Sequence, residues 1–280
     1  MSRVLIVGAN SPLGTAIRAA LVADGHTVFG VSRSGHGDNE SVDISDGAAA
    51  GALLARVKPH TVVYLARPDI PDNEPEAVVS AAVDGLRTFL LLCAENSVDR
   101  LLFASSAAVY GTGISQPLVE EDPVLAEGAY AQLKLLSEQC LAEVAAQTTL
   151  IAVAFRIFNV YGPGFRTSLI NRLVDSRSGG APPHVFATND FVRDYVHVED
   201  VAAAFALAAS ATNIESGVVN LGTGWGTGNL DLLALLPDAR WVPAGHLDSP
   251  STSIADTRRL TRLLGLAPPA RLRRDGLFRT

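Results

Sequence analysis

Tyr130 and Lys134 stand at i and i+4 in a stretch that reads as a helix, so both side chains fall on one face. A phenol is a weak acid or base near neutrality, since its pKa starts near ~10. An ammonium beside it stabilises the phenolate and makes it usable for proton transfer. Only Lys58 and Lys134 are lysines among the 22 basic residues of the chain. Arginine replaces lysine readily on a solvated surface but poorly as a compact ammonium beside a phenol, so Lys134 points to chemistry. At 103–111 the chain reads FASSAAVYG, a strand running into a loop with two hydroxyls. Strand carboxyl ends face the ligand crevice in a doubly wound sheet, which lets Ser106 hydrogen-bond the oxygen that Tyr130 protonates or deprotonates. Ser106, Tyr130 and Lys134 together make an oxidoreductase constellation.

A second chemical feature lies at the start of the chain, where a strand ends at Gly8 and GANSPLG at 8–14 leads into a helix. A diphosphate requires a tight turn that brings backbone N–H groups and a helix N-terminus close to it. Gly8 supplies the turn, and Gly14 lets the helix lie close to the strand. Ser11 and Pro12 read as an N-cap followed by an N1 proline. At the end of the second strand the chain reads Val31, Ser32, Arg33, Ser34, with no carboxylate for the ribose hydroxyls of NAD. A guanidinium with hydroxyl neighbours suits a 2′-phosphate, so NADP(H) is the expected cofactor and NAD(H) the alternative. Asp43 is placed either to reach the adenine or to cap a helix starting near Ser45.

These groups need a scaffold. Apolar strand patterns at 3–9, 27–31, 61–66, 100–105 and 150–155 alternate with helical patterns at 12–24, near 46–57, near 78–96 and at 130–147. Such alternation predicts βαβ units, right-handed crossovers and an α/β, doubly wound parallel Rossmann sheet covered on both faces. After Phe155 the pattern loosens, with shorter elements at 167–177, 198–210, 217–221 and 257–264. Residues 1–155 are therefore read as the dinucleotide-binding domain. Residues 156–280 are read mostly as a small C-terminal substrate-binding lobe, with one segment returning to the sheet.

In 280 residues, 48% are hydrophobic and 18% charged, which allows a large core. The net charge of −7 argues against a nucleic-acid partner. Cys93 and Cys140 fall in apolar helical stretches and read as core residues of a reducing compartment. The segment MSRVLIVGAN has no leader pattern, and the apolar run at Val201–Ala209 is too short to cross a bilayer. A cytoplasmic protein without a membrane partner is expected. The six histidines show no metal spacing, no metal is expected, and His197 reads as a core or loop histidine. The apolar surface of the helices at 78–96 and 130–147 exceeds what one sheet contact needs, which fits a four-helix homodimer interface.

The glycine turn, LAR at 65–67, SSAAVYG at 105–111, Tyr130 with Lys134, RIFNVYGPG at 156–164, RDYVHVEDVA at 193–202 and VNLGTG at 219–224 occur in an order that resembles the extended short-chain dehydrogenase/reductase family, in its nucleotide-sugar epimerase/dehydratase group. The resemblance covers nearly the whole chain. It implies that Tyr130 is the general acid/base, that Lys134 binds the nicotinamide ribose and tunes Tyr130, and that Ser106 positions the substrate oxygen. It implies further that Asn159 and the Arg193 region help hold a nucleotide-activated sugar. The dinucleotide is expected at Gly8, Asn10, Ser11, Pro12, Leu13, Gly14, Ser32, Arg33, Asp43, Ile44, Leu65 and Ala66, together with Tyr130 and Lys134. A local Arg193–Asp194 salt bridge is the plainer expectation for that pair.

The chain also departs from the family pattern. Ala107 and Ala108 follow Ser106 where dehydratases usually carry an acidic pair, so a 4,6-dehydratase is not expected. Asp84 stands in place of an asparagine, and Arg67 in place of a small residue on the nicotinamide side. AGHLDSPS at 244–251 lacks the usual Arg-Pro-Gly-Asp pattern. The expected activity is 4-ketoreduction of a nucleotide-activated sugar, with hydride moving to the carbonyl carbon. The alternative is an NAD-dependent nucleotide-sugar 4-epimerase.

Overall fold

The computed structural model describes residues 2–68, 76–111, 117–177, 184–187, 191–244, 251–265 and 272. Its elements run β1 (Arg3–Val7), α1 (Pro12–Ala23), β2 (Thr27–Ser32), β3 (Glu40–Ser41), α2 (Gly47–Val57), β4 (Thr61–Tyr64), α3 (Glu76–Glu95), β5 (Arg100–Ser106), a short 3-10 helix (Ala107–Tyr110), α4 (Gly128–Gln147) and β6 (Ile151–Ile157). They continue with β7 (Asn159–Tyr161), α5 (Leu169–Ser176), β8 (His184–Ala187), β9 (Phe191–His197), α6 (Val198–Ser210), β10 (Gly217–Leu221), β11 (Gly226–Gly228), α7 (Asn229–Leu235), β12 (Trp241–Ala244), β13 (Ser251–Ser253) and α8 (Arg258–Leu264). Two compact units result. The first takes Met1–Gly111, Val124–Arg156 and Val201–Val219, and the second Thr112–Pro123, Ile157–Asp200 and Asn220–Thr280.

Seven strands form a parallel central sheet in the order β10-β6-β5-β4-β1-β2-β3, flanked by helices. Its inner strands are continuous apolar runs because both faces are covered. Val4 to Val7 of β1 and Leu101 to Phe103 of β5 are buried. From β1 the chain winds outward through β2 and β3, then crosses to β4 on the other side of β1. Ligands of open α/β sheets sit outside the strand carboxyl ends where the order reverses in this way. That reversal lies between β1 and β4.

The helix α3 is long and apolar enough, by length and composition, to cross a membrane, and it exceeds the Val201–Ala209 run. Its charged residues, Glu76, Asp84, Arg87 and Glu95, are spaced to fall on one side. Leu86, Phe89, Leu90 and Cys93 on the other side are buried in one cluster with Leu5, Leu54 and Leu101. This is the arrangement of a core helix laid on the sheet.

In the second unit β9 pairs with β11 in antiparallel fashion and with β13 and β7 in parallel, and β8 pairs with β12. Tyr161, Ile170, Leu173, Tyr195, Leu232 and Leu236 form its core. The fully buried Asp194 carboxylate accepts the amides of Thr223, Gly224 and Ala255 and the Thr223 hydroxyl. Burial raises its pKa while these four donors hold it down.

Candidate active site

The turn after β1 packs against the chain leaving β4. Gly8 has φ +88°, and a Cβ there would stand 2.9 Å from the Ala66 amide nitrogen and 3.0 Å from the Leu65 carbonyl carbon. A Cβ on Gly14 would stand 2.8 Å from the carbonyl oxygens of both Gly8 and Ala9. Both glycines are therefore required by the closeness of backbone to backbone. Ser11 caps α1: its hydroxyl accepts from the Gly14 amide at 3.0 Å and donates to the Gly8 carbonyl at 2.9 Å. Pro12 takes N1 and Leu13 follows half-buried, so the positive end of the α1 dipole starts at the strand-order reversal. This cradle fits the diphosphate of a dinucleotide.

At the end of β2 the Asn10 amide donates to Ser32 Oγ at 2.6 Å and to Ser34 Oγ at 3.3 Å, and its oxygen accepts from Asn39 at 2.6 Å. Arg18 of α1 donates to the Asn39 side-chain oxygen. Arg33 is exposed and its carbonyl accepts the Ser41 hydroxyl. Hydroxyls, amides and guanidinium groups thus surround the β2 end; sequence reasoning missed Arg18 and Asn39. Asp43 does not cap α2. Its carboxylate accepts the Ser45 amide and hydroxyl in a local turn that lowers its pKa, while Asp46 caps the helix through the Ala48 and Ala49 amides. Ile44 is half-buried against the core.

The catalytic candidates meet where β5 ends. Lys134 is 5% exposed, and its Nζ donates to the Ala104 carbonyl at 2.6 Å, 4.6 Å from the Phe103 ring centroid and 5.9 Å from that of Tyr130. Ser106 follows Ala104 by two residues, and its hydroxyl accepts from the Ala108 amide at 3.2 Å. The Arg67 guanidinium, on the segment after β4, lies 5.2 Å from the Tyr130 ring centroid. Burial brings the Lys134 ammonium down to about 7, Arg67 pushes the same way, and Glu138 opposes both. A cation this close to its neutral form beside a phenol is suited to proton exchange near neutral pH.

In the second unit, Asn159 Nδ2 donates to the Asp194 carbonyl at 3.2 Å. Arg193 donates to the Ser251 carbonyl at 2.7 Å and hydroxyl at 3.2 Å, with its guanidinium 5.0 Å from the Phe191 ring centroid. The expected Arg193–Asp194 salt bridge does not form. Successive side chains on a strand point to opposite faces, so Arg193 turns to β13 while Asp194 turns to the loop at 223–224. Most of AGHLDSPS at 244–251 lies outside the described residues. His197 is buried at the end of β9.

A family model, the NAD dependent epimerase/dehydratase family, matches residues 4–222. The UDP-glucose 4-epimerase of Azospirillum brasilense is 28% identical over 99% of this chain and 90% of its own. Among solved structures, MoeE5 in complex with UDP-glucuronic acid and NAD is 26% identical, with a TM-score of 0.86 over 98% of this chain and 96% of that one. The UDP-glucose 4-epimerase of Thermotoga maritima with UDP-glucose is 25% identical, with a TM-score of 0.86 over the same shares. With the glycine cradle at the β1/β4 reversal and the Tyr130–Lys134 pair against the end of β5, these likenesses mean that the chain belongs to the NAD dependent epimerase/dehydratase family.

Proposed function

We propose that this chain is a nucleotide-sugar 4-epimerase. Similarity to a UDP-glucose 4-epimerase along 99% of the chain carries this reading. It favours the alternative over the ketoreduction expected from the sequence, and both are hydride transfers at a sugar carbon. The dinucleotide supplies the hydride acceptor and donor when bound. In the proposed mechanism the Tyr130 phenolate takes the proton of the sugar 4-hydroxyl and later returns it to the ketone oxygen after the opposite face has been presented. Lys134 holds the nicotinamide ribose and supplies the positive charge beside Tyr130. Ser106 hydrogen-bonds the reacting oxygen. Gly8 to Gly14, Leu65 and Ala66 hold the dinucleotide, and Asn159 and Arg193 serve the nucleotide sugar.

One observation favours the second reading, an NADP(H)-dependent 4-ketoreductase. The β2 end carries Ser32, Arg33 and Ser34, a guanidinium with hydroxyl neighbours, which suits a 2′-phosphate. Both readings place the enzyme in the cytoplasm as a homodimer built through α3 and α4, whose Val78, Leu91 and Leu136 are exposed. The readings separate in one experiment on the purified protein. An epimerase releases stoichiometric dinucleotide on denaturation and converts UDP-glucose to its 4-epimer with no cofactor added. A protein that releases none and oxidises NADPH with a 4-keto nucleotide sugar is the ketoreductase.

A further inference from the structure

The roles assigned above leave one buried ion pair of the first unit unused. Glu138 stands four residues beyond Lys134 on α4, and both it and Arg156 of β6 are 5% exposed. Arg156 meets the Glu138 carboxylate through Nη2 at 2.7 Å and Nε at 3.1 Å. The Ser105 hydroxyl donates to the same carboxylate, and the Arg156 guanidinium lies 4.7 Å from the Tyr110 ring centroid. Apolar residues in place of such a pair are often as stable or more so, so stability alone does not account for it. Its placement does. Ser106 lies between Ser105 and Tyr110, and the segment 104–110 is tied to α4 at Ala104 by Lys134, at Ser105 by Glu138, and at Tyr110 by Arg156 through Glu138.

We propose that Glu138 and Arg156 are positioning residues, which hold the Ser106 segment in register with Tyr130 and Lys134 and lay a fixed negative charge one helical turn behind the Lys134 ammonium. The groups facing Lys134 are Tyr130 and Glu138 on α4, Phe103 and the Ala104 carbonyl on β5, and Arg67 after β4. Among them Glu138 is the one carboxylate that opposes burial and Arg67. Glu138 itself faces Ser105 of β5 and Arg156 of β6. Without its charge, Lys134 loses its proton at lower pH and the cation beside Tyr130 is lost in the working range. The effect on turnover rests on the proposed epimerase reading; the effect on Lys134 does not.

With two lysines in the chain, NMR of isotope-labelled lysine gives two titrating signals, which Lys58→Arg assigns. Glu138→Gln keeps the size of the side chain and removes its charge. The Lys134 midpoint is expected to fall below the parent's. The alkaline limb of the kcat profile moves down with it, and kcat drops at least about tenfold with KM nearly unchanged. If Glu138→Gln does not fold, the double variant Glu138→Leu/Arg156→Met removes both charges while keeping an apolar fill; a smaller shift in the same direction is expected, because the departing Arg156 cation offsets part of the lost carboxylate. A folded variant whose Lys134 midpoint stays where the parent has it overturns the proposal. A parent that turns over no nucleotide sugar overturns the epimerase reading, and the Lys134 titration still decides this one.

Discussion

Lys134 carries two opposed demands, because the cation that Tyr130 needs is the group that the core least tolerates. In the unfolded chain its pKa is the ordinary 10.5, and in the folded protein about 7. Between these values the unfolded chain binds more protons, so stability rises with pH across that window; below it both states are protonated and the full penalty stands. Lys134→Met removes the penalty together with the ammonium. The melting-temperature gain of this variant over the parent should be larger at about pH 6 than at about pH 9, and a pH-independent difference contradicts the burial argument. Tyr130→Phe should keep fold and dinucleotide binding while lowering kcat by about 10²- to 10⁴-fold, as expected for losing a general acid/base. At this scale the i, i+4 spacing made Tyr130 and Lys134 legible. Glu138 extends the same spacing by another turn, but its partner Arg156 comes from β6, and no local pattern announces that meeting. Arg67 was visible as a departure from the family, and only the fold shows it over Tyr130.

At the scale of elements, the turn from β1 into α1 does the binding work through backbone geometry. Gly8→Ala puts a methyl 2.9 Å from the Ala66 nitrogen at φ +88°, so the turn must open. Dinucleotide affinity should fall by about 5- to 150-fold, at roughly 1–3 kcal/mol of strain, as read by titration of the purified variant. Ser11→Ala removes the cap of α1 and should cost about 1 kcal/mol in denaturant unfolding, with m unchanged. Most elements of the first unit were legible because they are strands and helices of regular period; the two-residue β3 and the 3-10 helix at Ala107–Tyr110 were not predicted. Helix α6 and strand β10 keep the predicted ranges 198–210 and 217–221. The strands β7, β11 and β13 were not legible. They have three residues each, and their pairing is set by distant segments, as of Ser251 with Phe191. The Arg193–Asp194 pair failed for the same reason, since it was read along the chain while a strand separates neighbours to opposite faces.

At the scale of the molecule, the alternation of strands and helices determined the sheet, and the order of its motifs determined the family. Reductase against epimerase was not legible, because both use the same hydride and proton steps and differ in what becomes of the cofactor between them. The homodimer proposal predicts a solution mass of twice 29.3 kDa. Leu136→Glu, on the exposed side of α4, should yield monomer at micromolar concentration by light scattering, and a parent that is already monomeric excludes the interface. The decisive measurement is turnover of a nucleotide hexose by the purified protein with no cofactor added, followed by separation of the 4-epimers. We predict approach to the same epimer mixture from either side, at a rate proportional to the bound dinucleotide and lowered by about 10²- to 10⁴-fold in Tyr130→Phe. Protein that is replete with dinucleotide and leaves both epimers unchanged would contradict it.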